Sequence, residues 1–138
     1  MQDNIADARQ RIFPMLAYDD APAAIDFLCR AFGFSERSRM TAPDGTIGHA
    51  EVVLGGNVVM LATTWKAGGM ASPRDLPAMP SQLFCEIDQV DGHFERARNA
   101  GAVVIAEPET QPYGFRMYRA LDPEGHRWLF ASRCAVGQ

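Results

Sequence analysis

The chain has 138 residues, of which 47% are hydrophobic and 22% charged, and it carries a net charge of −4 with three cysteines. That length suits one compact domain, and no apolar run is long enough to cross a bilayer. Lys66 is the only lysine and no basic cluster occurs, which excludes nucleic acid and a lysine-rich membrane contact as expected partners.

The start, "MQDNIADARQ", is polar and acidic without the apolar stretch of a signal peptide, so residues 1–10 read as an N-terminal extension. Cys29, Cys85 and Cys134 show no paired metal spacing and read as reduced thiols of a cytoplasmic protein.

"RIFPMLAY" (Arg11 to Tyr18) predicts a strand. "DDAPAAIDFLCRAFGF" predicts a helix with Asp20 as its N-cap, Pro22 in the first turn and Gly33 as its C-terminal stop. Then "SERSRMTA", "TIGHAEVVL" and "NVVMLAT" predict three strands, joined at "PDG" and "GG". "WKAGGMASPRDLPAMP" (Trp65 to Pro80) breaks every periodicity and reads as a connector. The order then restarts: "SQLFCEID" as a strand, "DGHFERARNAG" as a helix capped by Asp91, then "AVVIAE", "GFRMYRAL" and "HRWLFAS" as strands. A strand-helix-three-strand unit repeated in this way needs its twin to bury its apolar sheet face.

The stretches "DDAPAAIDFLCRAFGF", "PDGTIGHAEVVLGG", "QPYGFRMY" and "DPEGHRWLF", in this order, resemble the glyoxalase/bleomycin-resistance/extradiol-dioxygenase superfamily, the vicinal oxygen chelate fold. The resemblance implies an α+β fold of two paired βαβββ modules whose curved mixed sheets enclose a cleft. Residues 11–131 would form one domain, with modules at about 11–64 and 81–132 around the connector 65–80. It also implies a homodimer. The family's metal enzymes take a His or Gln from the first strand of each module and a Glu from the fourth. Those positions fall here near Pro14, on Met60, near Gln82 and on Leu129, and only Gln82 offers an oxygen or nitrogen donor. A divalent ion needs three or four such donors, so no cofactor is the expected state. A new metal site from His49, Glu51 and Gln82 is the alternative.

If Gly55 and Gly56 form a two-residue turn, Glu51 faces Met60, Val53 faces Val58 and His49 faces Ala62. His49 and Glu51 then share the face of Met60, which the resemblance turns into the cleft. The same treatment of "DPEG" sets Tyr118 against Leu129 and Arg116 against Ala131, bringing Arg116 and Tyr118 to the same cavity. Arg116 would grip an anionic oxygen, while His49 or Glu51 would act as a base. The plainer reading pairs Glu51 with Arg116 or Arg119 and leaves His49 as a satisfied, partly buried side chain. Trp65, Phe84, Met60, Met70 and Met79 are expected to build an adaptable apolar wall, with Tyr113 at the mouth and Trp128 on the helix side.

Two functions fit these residues. The first is a metal-free binder of an apolar or aromatic small molecule, like the superfamily's drug-binding resistance proteins. The second is a glyoxalase-type lyase or isomerase using His49 or Glu51 as base, with or without a divalent metal.

Overall fold

The computed structural model describes residues 9–134. The polar extension lies outside the described residues apart from its last two positions. Of these, Gln10 is anchored: its amide oxygen accepts the Val58 N–H at 2.6 Å and its amide nitrogen donates to the Val58 carbonyl at 2.9 Å.

The first module runs β1 (Met15–Tyr18), α1 (Ala21–Phe32), β2 (Ser35–Thr41), β3 (Ile47–Leu54) and β4 (Asn57–Thr63). The second runs β5 (Leu83–Glu86), α2 (Val90–Asn99), β6 (Val103–Thr110), β7 (Phe115–Leu121) and β8 (Arg127–Arg133). Each forms one mixed sheet, in the orders β1-β4-β3-β2 and β5-β8-β7-β6. The fold is α+β, as the resemblance implies, and the repeat is real down to strand order.

Local chemistry accounts for most boundaries. The Asp20 side chain accepts the Ala23 N–H, and Gly33 closes α1 at φ +82°, a conformation that a side chain resists. β1 is shorter than "RIFPMLAY" because Pro14 has no N–H for the ladder, though its carbonyl still accepts the Met60 N–H at 2.9 Å. β6 runs past Pro108 because it is an edge strand with register shifts on either side of Ala106. Asp91 is not the cap of α2. Gln89 holds that place without a side-chain bond, and Asp91 sits in the first turn.

The two modules share one core, built from the inner side of each helix and the helix-facing side of each sheet. Phe32, at the end of α1, packs against Trp128 and Phe130 of β8 with ring centroids 5.5 and 4.8 Å apart. Trp128 is fully buried on that side, as its alternation with Leu129 predicts. The Glu124 carboxylate accepts the N–H groups of Asp19 and Asp20 just ahead of α1, at 2.7 and 2.8 Å. The helices are therefore the glue between modules, and the opposite face of each sheet is left open.

Candidate functional site

The first hairpin has the expected register: Leu54 opposite Asn57, Val53 opposite Val58 and Glu51 opposite Met60. Gly55 and Gly56 both adopt positive φ, +57° and +81°, which a two-residue turn of this hand requires. This register puts Glu51 on the open face with Met60. β1 adds Met15, paired in parallel with Met60. Met15 and Met60, together with His49, Ala62, Trp65 and Met70, line a hollow of about 920 Å³.

The rim of this hollow is a short folded segment. Trp65 donates its backbone N–H to the Met70 carbonyl at 2.8 Å and accepts the Met70 N–H at 3.0 Å. The turn between them passes under the indole so closely that a Cβ on Gly68 would lie 2.3 Å from a ring carbon. Only glycine lets the indole take this position. Trp65 is 66% exposed and Met15 64%, an unusual cost for side chains of that size unless something covers them.

At the polar side of the hollow, His49 Nε2 lies 3.0 Å from Glu51 Oε2. Arg37 Nε lies 3.3 Å from the other oxygen, Oε1. Glu51 thus pairs with Arg37, not with Arg116 or Arg119. In the tautomer carrying its proton on Nε2, His49 keeps a lone pair on Nδ1 that can take a proton.

Arg116 and Tyr118 do not reach this hollow. Leu121 pairs with Arg127, so the second hairpin loop holds five residues, Asp122 to His126. His126 belongs to the loop and ties its ring Nε2 to the Ala17 carbonyl at 2.9 Å. The register therefore shifts by one: Tyr118 faces Phe130 and Arg116 faces Ser132. A one-residue shift turns every side chain over. Arg116 instead holds Asp91 of α2 at 3.1 Å, and Tyr118 is buried in the shared core. There its hydroxyl lies 2.6 Å from His93 Nδ1, while His93 Nε2 lies 2.8 Å from the Phe32 carbonyl. Burial lowers the His93 pKa and raises that of Tyr118, so both are neutral, structural groups.

The same shift brings Met117 and Arg119 to the open face of the second sheet, where Leu129 lies as expected and clusters with Met117, Ala131 and Phe115. Arg119 was hidden from sequence reading by the loop length alone. Tyr113, on the loop before β7, lines a small hollow there, its hydroxyl 3.8 Å from Met117 Sδ. Phe84 meets Phe115 edge-on at 5.3 Å and, with Gln82 and Pro14, lines a groove between the modules. Met79 lies away from Trp65, beside Gln82 and Arg127. Gln82 lines the groove between the modules, whereas His49 lines the hollow of the first sheet.

The family model for the Glyoxalase/Bleomycin resistance protein/Dioxygenase superfamily matches residues 11–130. The chain belongs to this superfamily. An uncharacterized protein of Mycobacterium tuberculosis H37Rv is 38% identical over 118 residues, covering 83% of this chain and 69% of its own. The crystal structure of TioX from Micromonospora sp. ML1 has a TM-score of 0.72 at 33% identity, covering 90% of this chain and 98% of its own. A glyoxalase I mutant from Zea mays has a TM-score of 0.70 at 17% identity over 91% of this chain and 45% of its own, a likeness of fold alone.

Within the superfamily fold, the positions that the resemblance assigns to metal ligands can be tested on this chain's own donors. Met60 brings a thioether to the first open face, and Leu129 brings only carbon to the second. This donor set does not fit a divalent ion. Among the described residues, no group of three or more His, Cys, Asp or Glu side chains could hold one elsewhere.

Proposed function

We propose that this superfamily member binds an apolar or aromatic small molecule in the hollow of the first sheet, without the metal that the fold's enzymes use. The observation that carries the reading is the lining itself: Met15, Met60, Met70 and Trp65 around a space of about 920 Å³, with His49, Asp44 and three threonines, Thr46, Thr63 and Thr64, on its polar side. Thioethers and an indole adapt to planar ligands.

The exposed apolar side chains of both sheets support a homodimer in which the second sheet of one copy covers the first-sheet hollow of the other. The free state of Cys29, Cys85 and Cys134 supports a reducing, cytoplasmic setting. No helix of the described residues is long and apolar enough to cross a membrane.

Thermal unfolding with a panel of aromatic amides and acids tests the reading. At a hundredfold excess over Kd a ligand adds about 2.7 kcal/mol, which is a rise in Tm of several degrees. The rise should vanish on Met60→Asp. A panel without effect, or a rise that survives Met60→Asp, would contradict it.

A second reading, a lyase or isomerase acting beside a carbonyl, is favoured by one observation. The His49–Glu51 contact of 3.0 Å holds an imidazole ready to take a proton. Conversion of a bound carbonyl compound, lost on His49→Ala, separates the two.

A further inference from the structure

Among the described residues, one buried side-chain nitrogen or oxygen lacks a hydrogen-bond partner, and it is Nε of Arg119. Several other arginines are matched: Arg116 with Asp91, Arg133 with Glu86, and Arg37 with Glu51. Arg119 makes no ion pair among the described residues, although Glu109 lines the same hollow. A guanidinium half-withdrawn from water with an empty Nε loses hydration and gains no acceptor in return.

Its place in the sheet is specific. Arg119 faces Leu129 across the β7–β8 pair and Ala106 across the β6–β7 pair, so it stands on the open face between an alkyl wall and a small residue. Met117 and Tyr113 flank it in the same hollow. An apolar setting with a partly exposed guanidinium that has no acceptor at its Nε suits a ligand with an apolar body and a carboxylate, which the outer N–H groups can hold.

We infer that Arg119 is the anion anchor of the binding site and that the ligand class is an aromatic or alkyl carboxylate. This rests on the proposed binding function and narrows it. In the proposed homodimer, Arg119 lies on the face that one copy turns toward the other copy's hollow. The carboxylate then meets the second sheet while the apolar body meets the methionines and Trp65 of the first. Specificity follows from desolvation: an amide or ester of the same shape leaves the guanidinium unmatched.

Calorimetric titration with naphthoate and naphthamide, which share one apolar body, tests the anchor. Wild-type protein is expected to bind naphthoate about tenfold to a hundredfold more tightly, the range for a charge-assisted bond in a withdrawn site. Arg119→Gln should bring the two within about twofold by weakening naphthoate alone, and Arg119→Lys should keep part of the preference. Arg116→Gln, which disturbs the Asp91 pair and a bond to Thr110, should keep all of it. Equal binding by wild type, or a preference that survives Arg119→Gln, overturns the anchor while leaving the binding reading intact. A variant that turns monomeric with its preference unchanged also overturns it, since Arg119 would then serve the contact between copies. Failure of both probes to bind overturns the anchor, and the proposed function falls with it only if the wider panel of aromatic amides and acids is also without effect.

Discussion

Asp122→Ala is expected to cost about 4 kcal/mol of folding stability, read as a large fall in the urea midpoint. Asp122 is buried at the start of the second hairpin loop and serves five donors at once. Its Oδ2 accepts the Tyr18 hydroxyl at 2.6 Å and the Trp128 indole N–H at 3.1 Å. Its Oδ1 accepts the backbone N–H groups of Glu124, Gly125 and His126, each at 3.1 Å. The part-buried Gly125 amide can find water in the variant, whereas those of Glu124 and His126 are buried. Tyr18 and Trp128 cannot find it, because both are fully buried. Each orphaned donor carries a penalty of about 1–3 kcal/mol, and the unlatched loop adds to it. Tyr18→Phe, which removes one donor and keeps the carboxylate, should cost only about 1 kcal/mol. A loss below about 1 kcal/mol for Asp122→Ala would show that the loop holds without its latch.

Phe32→Ala should be comparably severe, at about 3–5 kcal/mol for a large ring removed from a packed core. The reason is position as much as size. Phe32 is fully buried at the end of α1 and touches rings of both modules: Phe27 at 5.2 Å, Phe130 at 4.8 Å and Trp128 at 5.5 Å. The cavity would open where the repeats join, so folding of the two modules should lose coupling as well as stability. Phe84→Ala, by contrast, removes a ring that is 50% exposed on the other side of its sheet and should cost about 1 kcal/mol. Similar losses from both substitutions would mean that the shared core is not what joins the modules.

The contrast between the two hairpins shows what the sequence made legible. Gly55-Gly56 is a turn whose length and hand are set by its own residues, so the faces of His49, Glu51 and Met60 followed from the letters. The turn at "DPEG" has the same appearance, but His126 is held in the loop by Asp122 at its start and by a bond to Ala17, far away in sequence. No local pattern encodes that bond. Its consequence was to exchange Arg116 and Tyr118 for Met117 and Arg119 on the open face.

The helix caps repeat the lesson. Asp20 caps α1 because its own side chain reaches Ala23, whereas α2 begins at Gln89 without a side-chain bond to mark it. Which side of each module faces the other is a packing choice made by Phe32, Trp128 and Phe130 together, and only the folded chain shows it.

The most direct measurement follows the two tryptophan indole N–H resonances in isotope-labelled protein as naphthoate is added. Trp65 stands at the rim of the hollow, and Trp128 is fully buried on the far side of the second sheet with its N–H bound to Asp122. Binding in the hollow should move the Trp65 resonance saturably and leave that of Trp128 in place. A Trp65 resonance that stays fixed while the protein binds the ligand would put the site elsewhere and contradict the account.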